Sequence, residues 1–128
     1  MKFEVEGYGR VRGEFVPRKA HQGYPGYAHG GIAAAVLDEA MGWAIYAADA
    51  WALTAQMEVK FRRPLPIGEP VTVTAQVTRE GGRWLELVGE VRSSDGETLT
   101  EAKAMFVRLT KGKRRELDQA YLDRSREP

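Results

Sequence analysis

Gly31-Ile32-Ala33-Ala34-Ala35-Val36-Leu37-Asp38-Glu39-Ala40-Met41-Gly42-Trp43-Ala44-Ile45-Tyr46-Ala47-Ala48 is the stretch that sets the architecture. Seven of these residues are alanine (33, 34, 35, 40, 44, 47 and 48), and most of the others form helix readily. At about 1.5 Å per residue the segment makes a rod of roughly 27 Å. Ile32, Val36, Leu37, Met41, Trp43 and Ile45 place apolar groups nearly all round it. A helix with that pattern is expected to be buried rather than to lie on a surface. Asp38 and Glu39 fall at its middle, which argues against a bilayer span.

The sequence on either side reads as strands. Residues 2–16 alternate, with Phe3, Val5, Val11 and Phe15 among Lys2, Glu4, Arg10, Arg12 and Glu14. Gly7 and Gly9 offer a turn or bulge, and Pro17 ends the run. Residues 18–30 are rich in Gly, Pro and Tyr, which predicts an ordered loop. Beyond the helix, Thr54 to Arg63 alternates. Ala55, Met57, Val59 and Phe61 are expected on one face, and Thr54, Gln56, Glu58, Lys60 and Arg62 on the other. Pro64-Leu65-Pro66-Ile67-Gly68 is a turn. Glu69 to Arg79 sets Val71, Val73, Ala75 and Val77 against Thr72, Thr74, Gln76 and Thr78. Gly81-Gly82 and Asp95-Gly96 are hairpin signals that bracket a strand from Arg83 to Arg92. Thr98 to Leu109 completes the set.

The order is therefore strand pair, loop, helix, then four antiparallel strands. A helix apolar on all sides needs a sheet curled around it, a partner molecule, or both. That makes the fold class α+β. Residues 1–110 form one domain, and 111–128 a charged C-terminal tail in which Leu117, Tyr121 and Leu122 suggest a weak amphipathic turn.

Composition narrows the function classes. The chain has 128 residues, 43% hydrophobic and 29% charged, as expected of one ordinary globular domain. Net charge is +1, so there is no strong field to recruit nucleic acid or a membrane surface. The absence of cysteine excludes a disulfide scaffold, thiolate metal sites and a cysteine nucleophile. Met1 leads directly into alternating charged sequence without a signal-peptide pattern. The expected compartment is the cytoplasm.

Chemistry concentrates at Tyr27-Ala28-His29-Gly30-Gly31, with Asp38 nine residues after the histidine. Glycine at a helix entry lets a ligand approach the backbone. The first helical N–H groups lack intrahelical partners and carry the positive end of the helix dipole, so they suit a developing oxyanion. Asp38 lies two turns in. Its helical neighbours are Ala34, Ala35, Met41 and Gly42, three of them small, which leaves room beside the carboxylate. Burial would raise its pKa and improve it as a base. Glu39 is turned about 100° away and is expected to make a structural pair.

Gly23-Tyr24-Pro25-Gly26-Tyr27-Ala28-His29-Gly30-Gly31 with Leu37-Asp38-Glu39 resembles the hotdog-fold acyl-CoA thioesterases, in the branch of the phenylacetate-pathway enzymes and the mammalian thioesterase-superfamily proteins. The resemblance runs over about residues 10–109 and includes Arg63-Pro64-Leu65-Pro66. It implies a hotdog fold, hydrolysis of an acyl-CoA thioester and no metal or cofactor. Asp38 then corresponds to the general base or nucleophile, and Gly30, with Gly31, to the amides that polarise the carbonyl. His29 corresponds to the residue that orients this loop or contacts the carbonyl region. Thr54 matches a hydroxyl that places water, generally from the partner subunit. Two departures stand out: Gly23 replaces an asparagine found in one branch, and Gln56 replaces a serine.

The resemblance also implies a homodimer joined edge to edge, with sites at the subunit interface and a dimer of dimers as the larger alternative. Lys60, Arg62 and Arg63 are the candidate cations for the coenzyme A phosphates, with Arg83 or Arg92 in support. Met41, Trp43 and Ile45 are candidates to line the acyl pocket. Two other classes fit parts of the pattern. A hotdog dehydratase of hydroxyacyl thioesters would need a catalytic histidine, and only His21 and His29 are available. A non-catalytic acyl-CoA-binding module would not need Asp38.

Overall fold

The computed structural model describes residues 1–110 and, beyond them, residues 115, 116, 119 and 120, all four helical. The turn expected at Leu117, Tyr121 and Leu122 lies outside the described residues. The elements run β1 (Phe3–Gly7), β2 (Arg10–Phe15), a short 3-10 turn (Lys19–His21), α1 (Gly30–Tyr46), β3 (Ala52–Phe61), β4 (Val71–Glu80), β5 (Trp84–Ser93) and β6 (Thr98–Arg108). The strands form a single sheet in the order β1-β2-β4-β5-β6-β3, with every neighbouring pair antiparallel. One long helix lying on a six-stranded antiparallel sheet is the expected α+β hotdog arrangement.

The core forms between one face of α1 and one face of the sheet. Leu37, Ala40, Met41, Ala44 and Ile45 point from the helix into Val11, Val73, Leu85, Leu87, Val91 and Phe106. Gly89 permits the close approach. A Cβ there would sit 3.1 Å from Leu37 Cδ2, 3.1 Å from the Thr74 carbonyl oxygen and 3.3 Å from Met41 Cε.

The structure corrects the expected all-round burial of the helix. Ala35, Asp38, Glu39, Gly42, Trp43 and Tyr46 are exposed. A single sheet covers only one side of a cylinder, and nothing among the described residues covers the other. The exposed face carries an edge-to-face aromatic pair, Trp43 and Tyr46, with ring centroids 5.7 Å apart. Glu39 makes no ion pair among the described residues, so the structural pair expected of it is absent there.

The phase of β3 is the second correction. Strict alternation sets Thr54 on the face opposite Met57. In the structure the register slips between Thr54 and Gln56: Gln56 pairs with Met105, while Thr54 pairs with Phe106. Ala55 is taken up in a β-bulge. Directly opposed residues of antiparallel strands share a face, and Phe106 belongs to the core, so Thr54 points toward the helix. β3 is also the outer strand on its side of the sheet, paired only with β6, so among the described residues its other edge is unpaired.

Candidate active site

The site begins with the loop that feeds α1. The loop is ordered by its own hydrogen bonds. The His29 amide donates to the His21 carbonyl (2.8 Å), the Ala28 amide to the Leu65 carbonyl (2.8 Å) and the Gly23 amide to the Tyr27 carbonyl (3.0 Å). The Gly26 amide donates to Gln22 Oε1 at 3.0 Å. Gly23 lies against His29, since a Cβ on it would come within 3.2 Å of His29 Cα. The place of the missing asparagine is thus a close backbone contact.

His29 is the N-cap of α1. Its backbone is extended, and its imidazole Nδ1 accepts the Gly31 amide at 2.9 Å. That bond separates the two glycines. The Gly31 amide is occupied, whereas the Gly30 amide has no hydrogen-bond partner among the described residues. Of the two expected oxyanion donors, Gly30 is therefore the one open to a ligand. His21 behaves like His29, its Nδ1 accepting the Arg18 amide at 2.9 Å.

Asp38 sits on the open face of α1, and Thr54 Oγ1 donates to Asp38 Oδ1 at 2.8 Å. Both belong to the same chain, so relative to Asp38 the threonine does not come from a partner. The burial expected around Asp38 is not supplied by the described residues, for the reason that leaves Trp43 and Tyr46 exposed. From Gly30 to Asp38 is eight residues of helix, about 12 Å along the axis.

Two hollows meet at Gly30. One is bounded by Gly23, Tyr24, Tyr27, His29 and Pro64. The other is lined by Phe61, Arg62, Arg63, Leu65 and Thr100. Phe61 itself is 57% exposed, and its ring lies 3.4 Å from where a Gly30 Cβ would be.

The basic candidates divide. Arg62 and Arg63 border the hollow beside Gly30. Arg62 is paired with Glu101 at 2.6 Å, and Arg63 is paired with Glu97. The Arg62–Glu101 hydrogen bond raises the arginine pKa and holds the glutamate below the usual carboxylate range. Lys60 lies elsewhere. It faces a polar depression with Glu58, Gln76, Glu90 and Lys103 on the side of the sheet away from the helix. Arg92 is paired with Glu90 at 2.9 Å. Met41 and Ile45, expected beside an acyl group, are enclosed in the core and line none of these hollows. Trp43 alone of the three stays accessible. Thr100 was missed. Its signal is a polar residue in phase with the inward-facing Ala102, Ala104 and Phe106.

Comparison with known proteins agrees with this geometry. Residues 25–100 match the family model described as the thioesterase superfamily, and the chain belongs to that family. It is 38% identical over 89 residues to the acyl-coenzyme A thioesterase THEM4 of Bos taurus, covering 69% of this chain and 36% of that protein. The chain thus spans about a third of the length of that curated relative. Among solved structures it is similar to the thioesterase superfamily protein RHA08564 (TM-score 0.79, 33% identity, 82% of this chain and 54% of that one). It also shares its fold with a thioesterase protein of Streptococcus pneumoniae solved with coenzyme A (TM-score 0.79, 16% identity, 84% of this chain and 86% of that one).

Proposed function

We propose that the chain hydrolyses an acyl-CoA thioester to a free acid and coenzyme A. The observation that carries this reading is the pairing of an unpartnered helix-entry amide at Gly30 with a carboxylate, Asp38, held by Thr54 on an open face. The thioester carbonyl accepts the Gly30 amide, whose dipole favours the negative charge that develops on oxygen. Asp38 takes a proton from water, and the oxygen attacks the carbonyl carbon. The C–S bond breaks, and the thiolate leaves with that proton. Direct attack by Asp38, giving a transient anhydride that water opens, uses the same groups. Both histidines hold backbone amides through Nδ1, which disfavours the dehydratase alternative.

The separation of about 12 Å prevents Gly30 and Asp38 of one chain from serving one carbonyl, because a base must come within about 3 Å of its proton's donor atom. The working unit is therefore a homodimer. The Gly30 amide of one copy faces Asp38 and Thr54 of the other, joined through the unpaired edge of β3, which a second copy would also protect. Arg62 and Arg63 are the cations placed to meet the coenzyme A phosphates. The protein acts in the cytoplasm; among the described residues no helix is long and apolar enough to cross a membrane.

Mixed variants test this reading. Asp38→Ala and Gly30→Pro are purified separately, assayed for thiol release from a panel of acyl-CoAs, then mixed, exchanged and assayed again. Each alone should be nearly inactive. The mixture should recover up to about a quarter of wild-type activity, because half the dimers then hold one intact site of two. No recovery under conditions where subunits exchange would place Gly30 and Asp38 in one chain's site. No thiol release by the wild type would end the thioesterase reading.

A further inference from the structure

Thr100 has the one buried side-chain polar atom without a hydrogen-bond partner among the described residues. It is fully enclosed, at 0% exposure. On β6 it stands opposite Phe61 of β3 and Val91 of β5. Packing does not call for a hydroxyl there, since valine has the same shape and strands no donor. An unpaired buried hydroxyl costs free energy and is rare enough to need a reason.

The reason lies in what Thr100 borders. It is one of the residues that line the hollow shared with Gly30, Phe61, Pro64 and Leu65. Two residues that line the hollow, Gly30 and Thr100, thus each carry a donor without a partner among the described residues, beside apolar neighbours and the already paired Arg62 and Arg63. A ligand that fits carries two acceptors. The first is the thioester carbonyl at Gly30. The second is close to it, because Phe61 touches the Gly30 position and is the direct cross-strand neighbour of Thr100, about 5 Å away.

We propose that this hollow is the acyl subsite, and that Thr100 selects acyl groups bearing an oxygen a few bonds from the thioester carbon, of the 3-hydroxyacyl or 3-oxoacyl class. The proposal rests on the thioesterase reading for what Gly30 holds. Thr100 takes no part in bond making or breaking. It hydrogen-bonds the second oxygen, and a plain alkyl chain leaves it unpaired, which is where discrimination arises.

The test compares kcat/KM for butanoyl-CoA and 3-hydroxybutanoyl-CoA in the full chain, in Thr100→Val and in Thr100→Ser, following free thiol. The wild type should favour the hydroxylated substrate by about tenfold or more. Thr100→Val should bring that ratio near one, and Thr100→Ser should keep it. Thr100→Val should also melt no lower than wild type, since it loses no hydrogen bond, and this separates lost selectivity from lost fold. Equal rates in the wild type, or a preference that survives in Thr100→Val, would overturn the proposal. So would a ratio that holds while both substrates and free coenzyme A bind more weakly, since the hydroxyl would then serve the coenzyme arm. If thiol is released from neither substrate nor any other acyl-CoA, the thioesterase reading has failed. Calorimetric titration with the same two thioesters still reads the subsite, and equal affinities would overturn it.

Discussion

Thr54 and Asp38, sixteen residues apart on different elements, meet through a hydrogen bond of 2.8 Å from the threonine hydroxyl to one carboxylate oxygen. The bond fixes the carboxylate's rotation and leaves its second oxygen for water. Thr54→Val keeps the shape and removes the donor, so kcat should fall about 10–100-fold, the worth of one hydrogen bond to a charged group. Thr54→Ser should retain most of the rate. Steady-state thiol release from one good substrate distinguishes the two. Equal loss in both would mean the methyl group matters and the hydroxyl does not.

Asp38→Asn preserves volume and hydrogen bonding but cannot accept a proton. Its kcat should drop by about 10²–10⁴-fold, the usual contribution of a positioned general base. KM should change little. An Asp38→Asn protein as active as wild type would remove Asp38 from the chemistry.

Gly30 is the first residue of α1, where proline is well tolerated. The residue before it, His29, already has the extended φ of −62° and ψ of 140° that precede a proline. Gly30→Pro therefore deletes the open amide with little disturbance. Melting temperature should hold within a few degrees while kcat falls about 10²–10³-fold, as for loss of one oxyanion donor. Gly31→Ala should cost far less activity, because alanine keeps the N–H and its Cβ, 3.1 Å from His29 Nδ1, asks only for a small shift of the ring.

His29→Ala removes the cap of α1 and should cost about 0.5–2 kcal/mol of stability by urea unfolding. His29→Asn, which also caps well, should recover most of it. If His29→Asn restores stability but not activity, the imidazole has a role beyond capping.

A methyl group at Gly89 would crowd Leu37, Met41 and the Thr74 carbonyl oxygen. The two side-chain tips can yield, but the carbonyl oxygen of a paired strand cannot. Gly89→Ala should lower stability by about 1–3 kcal/mol, the range for an overpacked core. A neutral result would show that α1 can shift on the sheet.

Much of this molecule was set by its sequence alone. The alanine-rich helix, the four alternating strands after it and the Gly81-Gly82 and Asp95-Gly96 hairpins are local patterns, and each appears where its residues predict it, with boundaries moved by a residue or two. The His29-Gly30-Gly31 entry and Asp38 were legible for the same reason: capping chemistry and helical spacing are short-range. Only the tertiary structure decided how those pieces face one another. The Ala55 bulge reverses the expected phase of Thr54, because a bulge depends on the strand across the ladder. The His29 ring takes the Gly31 amide and leaves that of Gly30, a choice made by one rotamer. Lys60 goes to the far face of the sheet and Met41 into the core, while Asp38 is left open because one sheet can cover only half a helix. Periodicity reports which residues share a face; contact between elements decides what that face meets.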